Sequence, residues 1–147
     1  MEQRWVPGQD LVSEIEQELR FIGRIIRQKG REIHVNFQIT PPQFEALMLI
    51  RDHGVLTMGE LSSKMFLAYS TTTDLVDRLE RHGLVERLRD PMDRRVVRLR
   101  VLDRGLSMIE QVLEARRDYL RGVLARMEPG KVPILADALK DLIAHIQ

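Results

Sequence analysis

Between Ser70 and Arg100 the chain concentrates side chains that hydrogen-bond to anions and polar edges, and few that make or break covalent bonds. Ser70-Thr71-Thr72-Thr73 is a run of hydroxyls, followed at helical spacing by Asp74 and Arg78. From Arg87 to Arg100 come Arg87, Arg89, Arg94, Arg95, Arg98 and Arg100 against only Asp90 and Asp93. At the start of a helix, hydroxyls and free first-turn amides suit phosphate and base edges, helped by the helix dipole. The plainer alternative is that Ser70 caps the helix and the threonines are solvated. A polar run with β-branched residues is a poor choice for helix stability alone, which favours the contact role. Arg78 lies one turn beyond Asp74 and can pair bidentately with guanine, worth ~1–3 kcal/mol of discrimination. Asp74 either accepts from cytosine or holds Arg78. Arg87 and Arg89 either reach a sugar–phosphate backbone or remain solvated.

These residues need elements to position them. Thr57-Met58-Gly59-Glu60 reads as a capping box, with Leu56 and Leu61 placed for a hydrophobic staple, and predicts a helix to about Leu67. Ser70 is a suitable N-cap for a second helix ending near His82. Gly83 supplies a left-handed C′ residue, with Leu79 and Leu84 spaced for the apolar contact of a Schellman end. Apolar and polar residues then alternate over Leu84–Leu88 and again over Arg95–Val101, a period of two that predicts strands. Asp90-Pro91 suits the first two positions of a type I turn between them. Two helices joined by a short turn and followed by a hairpin make a winged helix-turn-helix.

The run from Ser70 through Arg87, S-x-x-T-x-x-V-x-x-L-x-x-x-G-L-V-x-R, resembles the recognition helix and first wing strand of the MarR family of bacterial transcriptional regulators. Asp93-Arg94-Arg95 is similar to that family's D-x-R wing tip, in which the acid orients the second arginine for insertion into a narrow minor groove. Gly105 falls where the family begins its long C-terminal helix. The likeness spans nearly the whole chain. One departure lies at Val101-Leu102-Asp103-Arg104-Gly105, where the family has L-T-x-x-G with Thr as the N-cap; Asp103 is the substitute cap. The resemblance implies double-stranded DNA as partner, a homodimer, and a possible small-molecule effector, often an aromatic or lipophilic anion, bound where dimer helices meet the DNA-binding lobe.

Outside this segment, apolar residues at helical spacing predict a helix from Asp10 to about His34, carrying Val12, Ile15, Leu19, Ile22 and Ile26. Met1 to Gly8 reads as an irregular arm in which Trp5 is pinned onto a surface. Thr40-Pro41-Pro42-Gln43 is a second capping box, stapled by Ile39 and Phe44 and ending in a Schellman candidate at His53-Gly54-Val55. Leu106 to Met127 forms a long helix, broken in its stripe by the charged belt Glu114–Asp118 and ended by Pro129-Gly130. Val132 to Ile146 forms the last helix. The fold class is mainly α with a small β-hairpin wing. Residues 40–104 form the DNA-binding lobe, and 9–35 and 105–147 the dimerisation helices of a single 147-residue unit. Burying one Leu or Ile is worth roughly 1.5–3 kcal/mol. Wide apolar faces outside the lobe therefore call for a second copy, and a twofold pair sets two recognition helices about 34–36 Å apart.

Composition narrows the alternatives. With 44% hydrophobic and 31% charged residues the chain is an ordinary globular one, and a net charge of +1 says less than the local excess on the wing. There is no cysteine, hence no disulfide, thiolate metal site or thiol redox sensor. No apolar run approaches a membrane span and no signal peptide opens the chain, so a cytoplasmic location without membrane contact is expected. His34, His53, His82 and His145 share no helix face, and neither a metal site nor a cofactor is expected. Met48 and Met108 are candidates to line a pocket. An enzyme lacks its chemistry here, with no nucleophile motif and no Gly-rich phosphate loop. A winged helix used for protein assembly remains the alternative, though it calls for a less basic wing and a more apolar recognition helix.

Overall fold

The computed structural model describes residues 5–146. The elements run α1 (Gln9–Asn36), α2 (Pro41–His53), β1 (Leu56–Thr57), α3 (Met58–Met65), α4 (Tyr69–Arg81), β2 (Val85–Arg89), β3 (Val97–Val101), α5 (Asp103–Leu124) and α6 (Lys131–Ile146). The expected arm at Met1 to Arg4 lies outside the described residues. Trp5 is 76% exposed, so it is not pinned within this chain.

Local chemistry explains most boundaries. The Thr40 hydroxyl accepts from the Gln43 amide at 3.3 Å, and the Gln43 side chain accepts from the Thr40 amide at 3.0 Å, a complete capping box ahead of Pro41. At Thr57 only half the box forms. Its hydroxyl accepts from Glu60 at 3.1 Å, but among the described residues Glu60 does not reach back, and Thr57 instead belongs to a strand paired with Arg98. That short strand was not foreseen. It makes the wing a three-stranded antiparallel sheet, order β1-β3-β2, with Leu56 opposite Leu99. The α2 end is also different from a Schellman motif. Gly54 sits at φ 72°, ψ −63°, and the Val55 amide bonds to the His53 carbonyl at 2.9 Å, a γ-turn.

The Schellman geometry appears where Gly83 takes φ 72°. Leu84 donates to the Leu79 carbonyl at 3.0 Å and Gly83 to Glu80 at 2.9 Å, while the Leu79 and Leu84 side chains are both buried. A second one closes α3 two residues earlier than expected. There Phe66 adopts φ 55°, with Leu67 bonded to Ser62 at 3.1 Å and Phe66 to Ser63 at 3.2 Å. A non-glycine residue in that conformation costs roughly 1–2 kcal/mol. The Ser62 hydroxyl offsets part of it by donating to the Leu67 carbonyl at 2.7 Å.

The core lies among α2, α3, α4, the sheet and the first turns of α5. Leu47, Ile50, Leu61, Val76, Leu79, Leu99 and Val112 are fully enclosed. From α1 only Ile33 and His34, near its end, reach burial, and α6 contributes no buried residue. The apolar stripe of α1 stays outside: Ile15, Leu19, Ile22 and Ile26 are each about half exposed or more. Met48 and Met108 pack against the core rather than lining a cavity. No helix among the described residues is long and apolar enough to cross a membrane.

The joint between hairpin and α5 is set by backbone contact. The Leu84 carbonyl accepts from Leu102 at 2.9 Å, and a Cβ on Gly105 would lie 2.2 Å from that oxygen and 2.6 Å from Val101 Cγ1. Helix α5 starts at Asp103 with Leu102 as N-cap and no side-chain cap, so Asp103 is the first helical residue and not the cap. Its carboxylate still favours the helix dipole. Because the first obstacle at Gly105 is backbone, neighbours cannot yield by changing rotamer. Gly105→Ala is expected to lower unfolding free energy by about 3 kcal/mol, at the upper end for overpacking, read from urea denaturation of the purified chain; a change below about 0.5 kcal/mol would show that the joint is not tight.

Candidate nucleic-acid interface

Helix α4 presents its first turns unevenly. Ser70, Thr71, Asp74 and Arg78 are exposed, Thr73 is half-buried, and Thr72 is fully enclosed. Thr72 is thereby corrected: it sits on the core face with Leu75, Val76 and Leu79, and its hydroxyl donates to the Ala68 carbonyl at 3.1 Å. The Thr73 hydroxyl turns back likewise, to Tyr69 at 3.0 Å. Ser70 is not the N-cap. The helix starts two residues earlier, at Tyr69, with Ala68 as a cap that offers no side-chain acceptor. The Ser70 hydroxyl is left outside the cap, and the first-turn amides keep no side-chain partner. Asp74 and Arg78 form no ion pair with each other among the described residues, so Asp74 does not hold Arg78 in this structure.

In the wing, register decides which arginines point where. Val85, Arg87 and Arg89 pair with Val101, Leu99 and Val97, while Glu86 and Leu88 pair with Arg100 and Arg98. Arg87 therefore leaves the sheet on the same side as Val85, toward α4. Its guanidinium meets Asp77 at 2.5 Å and Glu80 at 2.8 Å and reaches the Thr73 carbonyl at 3.5 Å, while its amide donates to Glu80 at 3.1 Å. Burial alone would lower its pKa, but the two carboxylates together outweigh this and raise it. With its charge answered by two acids, Arg87 clamps the wing to α4. On the other face Glu86 pairs with Arg100 directly across the ladder.

The wing tip is shaped by two aspartates. Asp90 Oδ1 accepts from the amides of Met92 at 2.8 Å and Asp93 at 3.2 Å, and its Oδ2 takes Arg98 at 3.0 Å. The carboxylate, rather than a type I backbone bond, bends the chain at Pro91. The Met92 amide first, then the Arg98 guanidinium, hold the Asp90 carboxyl below its ordinary range. The hydrogen-bonded turn comes later, with Val96 donating to the Asp93 carbonyl at 3.0 Å. Asp93 Oδ1 also takes the Arg95 amide at 3.0 Å and its Nε at 3.2 Å, and Oδ2 takes Nη2 at 3.3 Å. The Arg95 guanidinium, then its amide, lower the Asp93 pKa. The Arg95 side chain is nonetheless 91% exposed. It is aimed but not covered. Arg78, Arg89 and Arg94 are exposed with no acidic partner among the described residues.

A cleft of about 290 Å³ joins the two parts, with Thr57, Gly59, Tyr69, Arg95 and Val97 in its lining. The start of α4 and the wing tip thus stand side by side. Tyr69, 55% exposed, and Phe66, 95% exposed, add aromatic surface beside the hydroxyl run that sequence reasoning missed. On sequence alone Phe66 falls inside the first helix and Tyr69 in the link to Ser70. The signal was the absence of any glycine in Met65–Tyr69, which forces a bulky residue into the left-handed turn position.

Comparison with known proteins agrees with this geometry. The MarR family pattern matches residues 39–97. An uncharacterized HTH-type transcriptional regulator of Bacillus subtilis, YsmB, is 47% identical over 131 residues, covering 89% of this chain and 90% of its own length. The HTH-type transcriptional repressor MdtR of the same organism is 32% identical over 78% of this chain and 74% of its own. A solved MarR family protein from Bacillus stearothermophilus superposes with a TM-score of 0.85 at 45% identity, covering 96% of this chain and 99% of that one. The chain belongs to the MarR family of winged helix-turn-helix regulators.

Proposed function

We propose that this DNA-binding transcriptional regulator acts as a homodimeric repressor that covers a palindromic operator and responds to a small lipophilic anion. The observation that carries the reading is the adjacency of an exposed polar helix start and an arginine aimed by Asp93, both bordering one cleft. In this reading Ser70, Thr71, Asp74 and Arg78 face the major groove, with Tyr69 beside them. Arg95 enters the minor groove, and Arg94 and Arg89 face the backbone. The repressor MdtR is a relative, and repression by occlusion needs no contact beyond DNA itself.

Dimerisation is supported by the exposed stripe of α1 together with α6, whose Leu135, Leu139, Leu142 and Ile143 stay 37–62% exposed. Faces of this width are costly in water at roughly 1.5–3 kcal/mol per Leu or Ile, and the same helices of a second copy cover them symmetrically. For the effector, a cavity of about 460 Å³ opens between α1 and α5 beside the start of α2, with apolar walls and only cationic charges in its lining. A ligand there bears on the helix that carries the lobe, and so on the spacing of two recognition helices.

Fluorescence anisotropy on the promoter fragment upstream of the protein's own coding region tests this. Log K should fall linearly with log salt, by about 0.9 per phosphate neutralised; a flat response would favour the assembly alternative. Arg95→Ala is expected to weaken binding to every sequence and to reduce that slope by about 1 per arginine removed. Arg78→Ala should instead relax preference at one position of each half-site, by ~1–3 kcal/mol. Arg87→Met separates holding from contact. It should cost about 1 kcal/mol of fold stability, below the roughly 1.5–3 kcal/mol of a buried charged hydrogen bond because its partners are partly exposed. DNA affinity should fall with the salt slope unchanged; a reduced slope would put Arg87 on a phosphate.

A further inference from the structure

Arg116 is half-buried on α5 with no carboxylate partner among the described residues. Its guanidinium lies 4.7 Å from the Phe44 ring centroid, and Nη2 stands 3.0 Å from His34 Nε2. A guanidinium only donates, so His34 Nε2 must accept, and the neutral ring carries its proton on Nδ1. That Nδ1 is buried with no partner, and His34 is only 4% exposed. The site therefore holds one buried donor without an acceptor beside a guanidinium without a carboxylate, whereas buried polar groups are normally satisfied. Both residues border the cavity of about 460 Å³, among Ile33, Pro41, Tyr119 and Leu120.

We infer that an anion entering this cavity takes Arg116 over from His34, and that the freed Nε2 then binds a proton, so that occupation is coupled to proton uptake. This rests on reading the cavity as the effector site. The charged groups lining the cavity beside His34 are Arg27, Lys29 and Arg31 from α1 and Arg116 from α5, while α2 contributes Pro41 to the lining and packs Phe44 against the His34 ring. Lys29 is already answered by Glu32 at 3.1 Å. Every other charge bordering the cavity is positive. Burial, and then Arg116, lower the His34 pKa in the empty site. An anion cancels the repulsion and offers the protonated ring an acceptor, which raises it. Between the two values binding takes up a proton, so affinity rises as pH falls, by at most about tenfold per pH unit.

Naphthalene-2-sulfonate is a suitable probe, because its acid group stays ionised from pH 5 to 8 and any pH dependence belongs to the protein. Calorimetric titration of the full chain at several pH values, in buffers of differing ionisation enthalpy, reads proton uptake directly on the unaltered protein. The expected result is an affinity that rises roughly three- to tenfold per pH unit below pH 7, with up to about one proton taken up per site. His34→Gln should still bind, with affinity flat across the range, and Arg116→Met should lose binding. Arg116-dependent binding that is flat with pH, or a slope retained in His34→Gln, overturns the proton coupling and leaves the effector site standing. Absence of binding to the unaltered protein at every pH overturns both.

Discussion

Arg87 leaves β2 on the side that faces α4, and its guanidinium ties Asp77 and Glu80 of that helix to the wing. This contact, with the short turn at Gly83, sets how the recognition helix sits against the wing. A duplex offers its major and minor grooves at fixed separation, so a protein reading both must hold its two reading elements at fixed separation too. A hydrophobic contact would give comparable energy but less directional control. The two-carboxylate clamp also fixes the tilt of β2, since the Arg87 amide and guanidinium bond to the same Glu80.

The same rigidity continues into α5. The Leu84 carbonyl receives Leu102 and lies against Gly105, so the wing's first strand and the long helix share one backbone contact. Ile109 and Val112 then bury the helix in the lobe, with Leu113 and Ala115 partly buried against the same core. Arg116, which borders the cavity, lies on the same unbroken helix as Ile109 and Val112. No hinge glycine separates the two: Gly105 sits inside the packed joint, where its missing Cβ permits close approach rather than bending.

Much of this was legible in the residues. The helix, strand and glycine spacing from Ser70 to Gly105 placed the winged segment, and the alternation of Leu84 to Leu88 already put Val85 and Arg87 on one face. What the pattern could not say is that this face meets α4, because the acids that receive Arg87 lie seven and ten residues earlier, on a different element. Thr72 misled for a related reason. Within a hydroxyl run, only the phase of the helix separates a buried threonine from an exposed one, and Thr72 falls in step with Leu75, Val76 and Leu79. The strand at Leu56-Thr57 was too short to show alternation. His34 and Arg116 meet only through the crossing of α1 and α5, 82 positions apart in the chain.

Charge balance explains why a net charge of +1 is compatible with a DNA-facing surface. The acids near the wing are not diluting its field at random. Asp77 and Glu80 answer Arg87, Glu86 answers Arg100, and Asp90 answers Arg98, each an arginine that braces the sheet or its loop. Asp93 is different, since it fixes Arg95 while leaving that side chain in water. Counting arginines therefore overstates the free charge of the wing, and counting net charge understates it. What remains unanswered at the tip and on the outer helix face is Arg78, Arg89 and Arg94, with Arg95 aimed among them. At physiological salt the field of an exposed charge decays over about 8 Å, so the potential just outside this face is set by those few cations and not by the balanced pairs behind them.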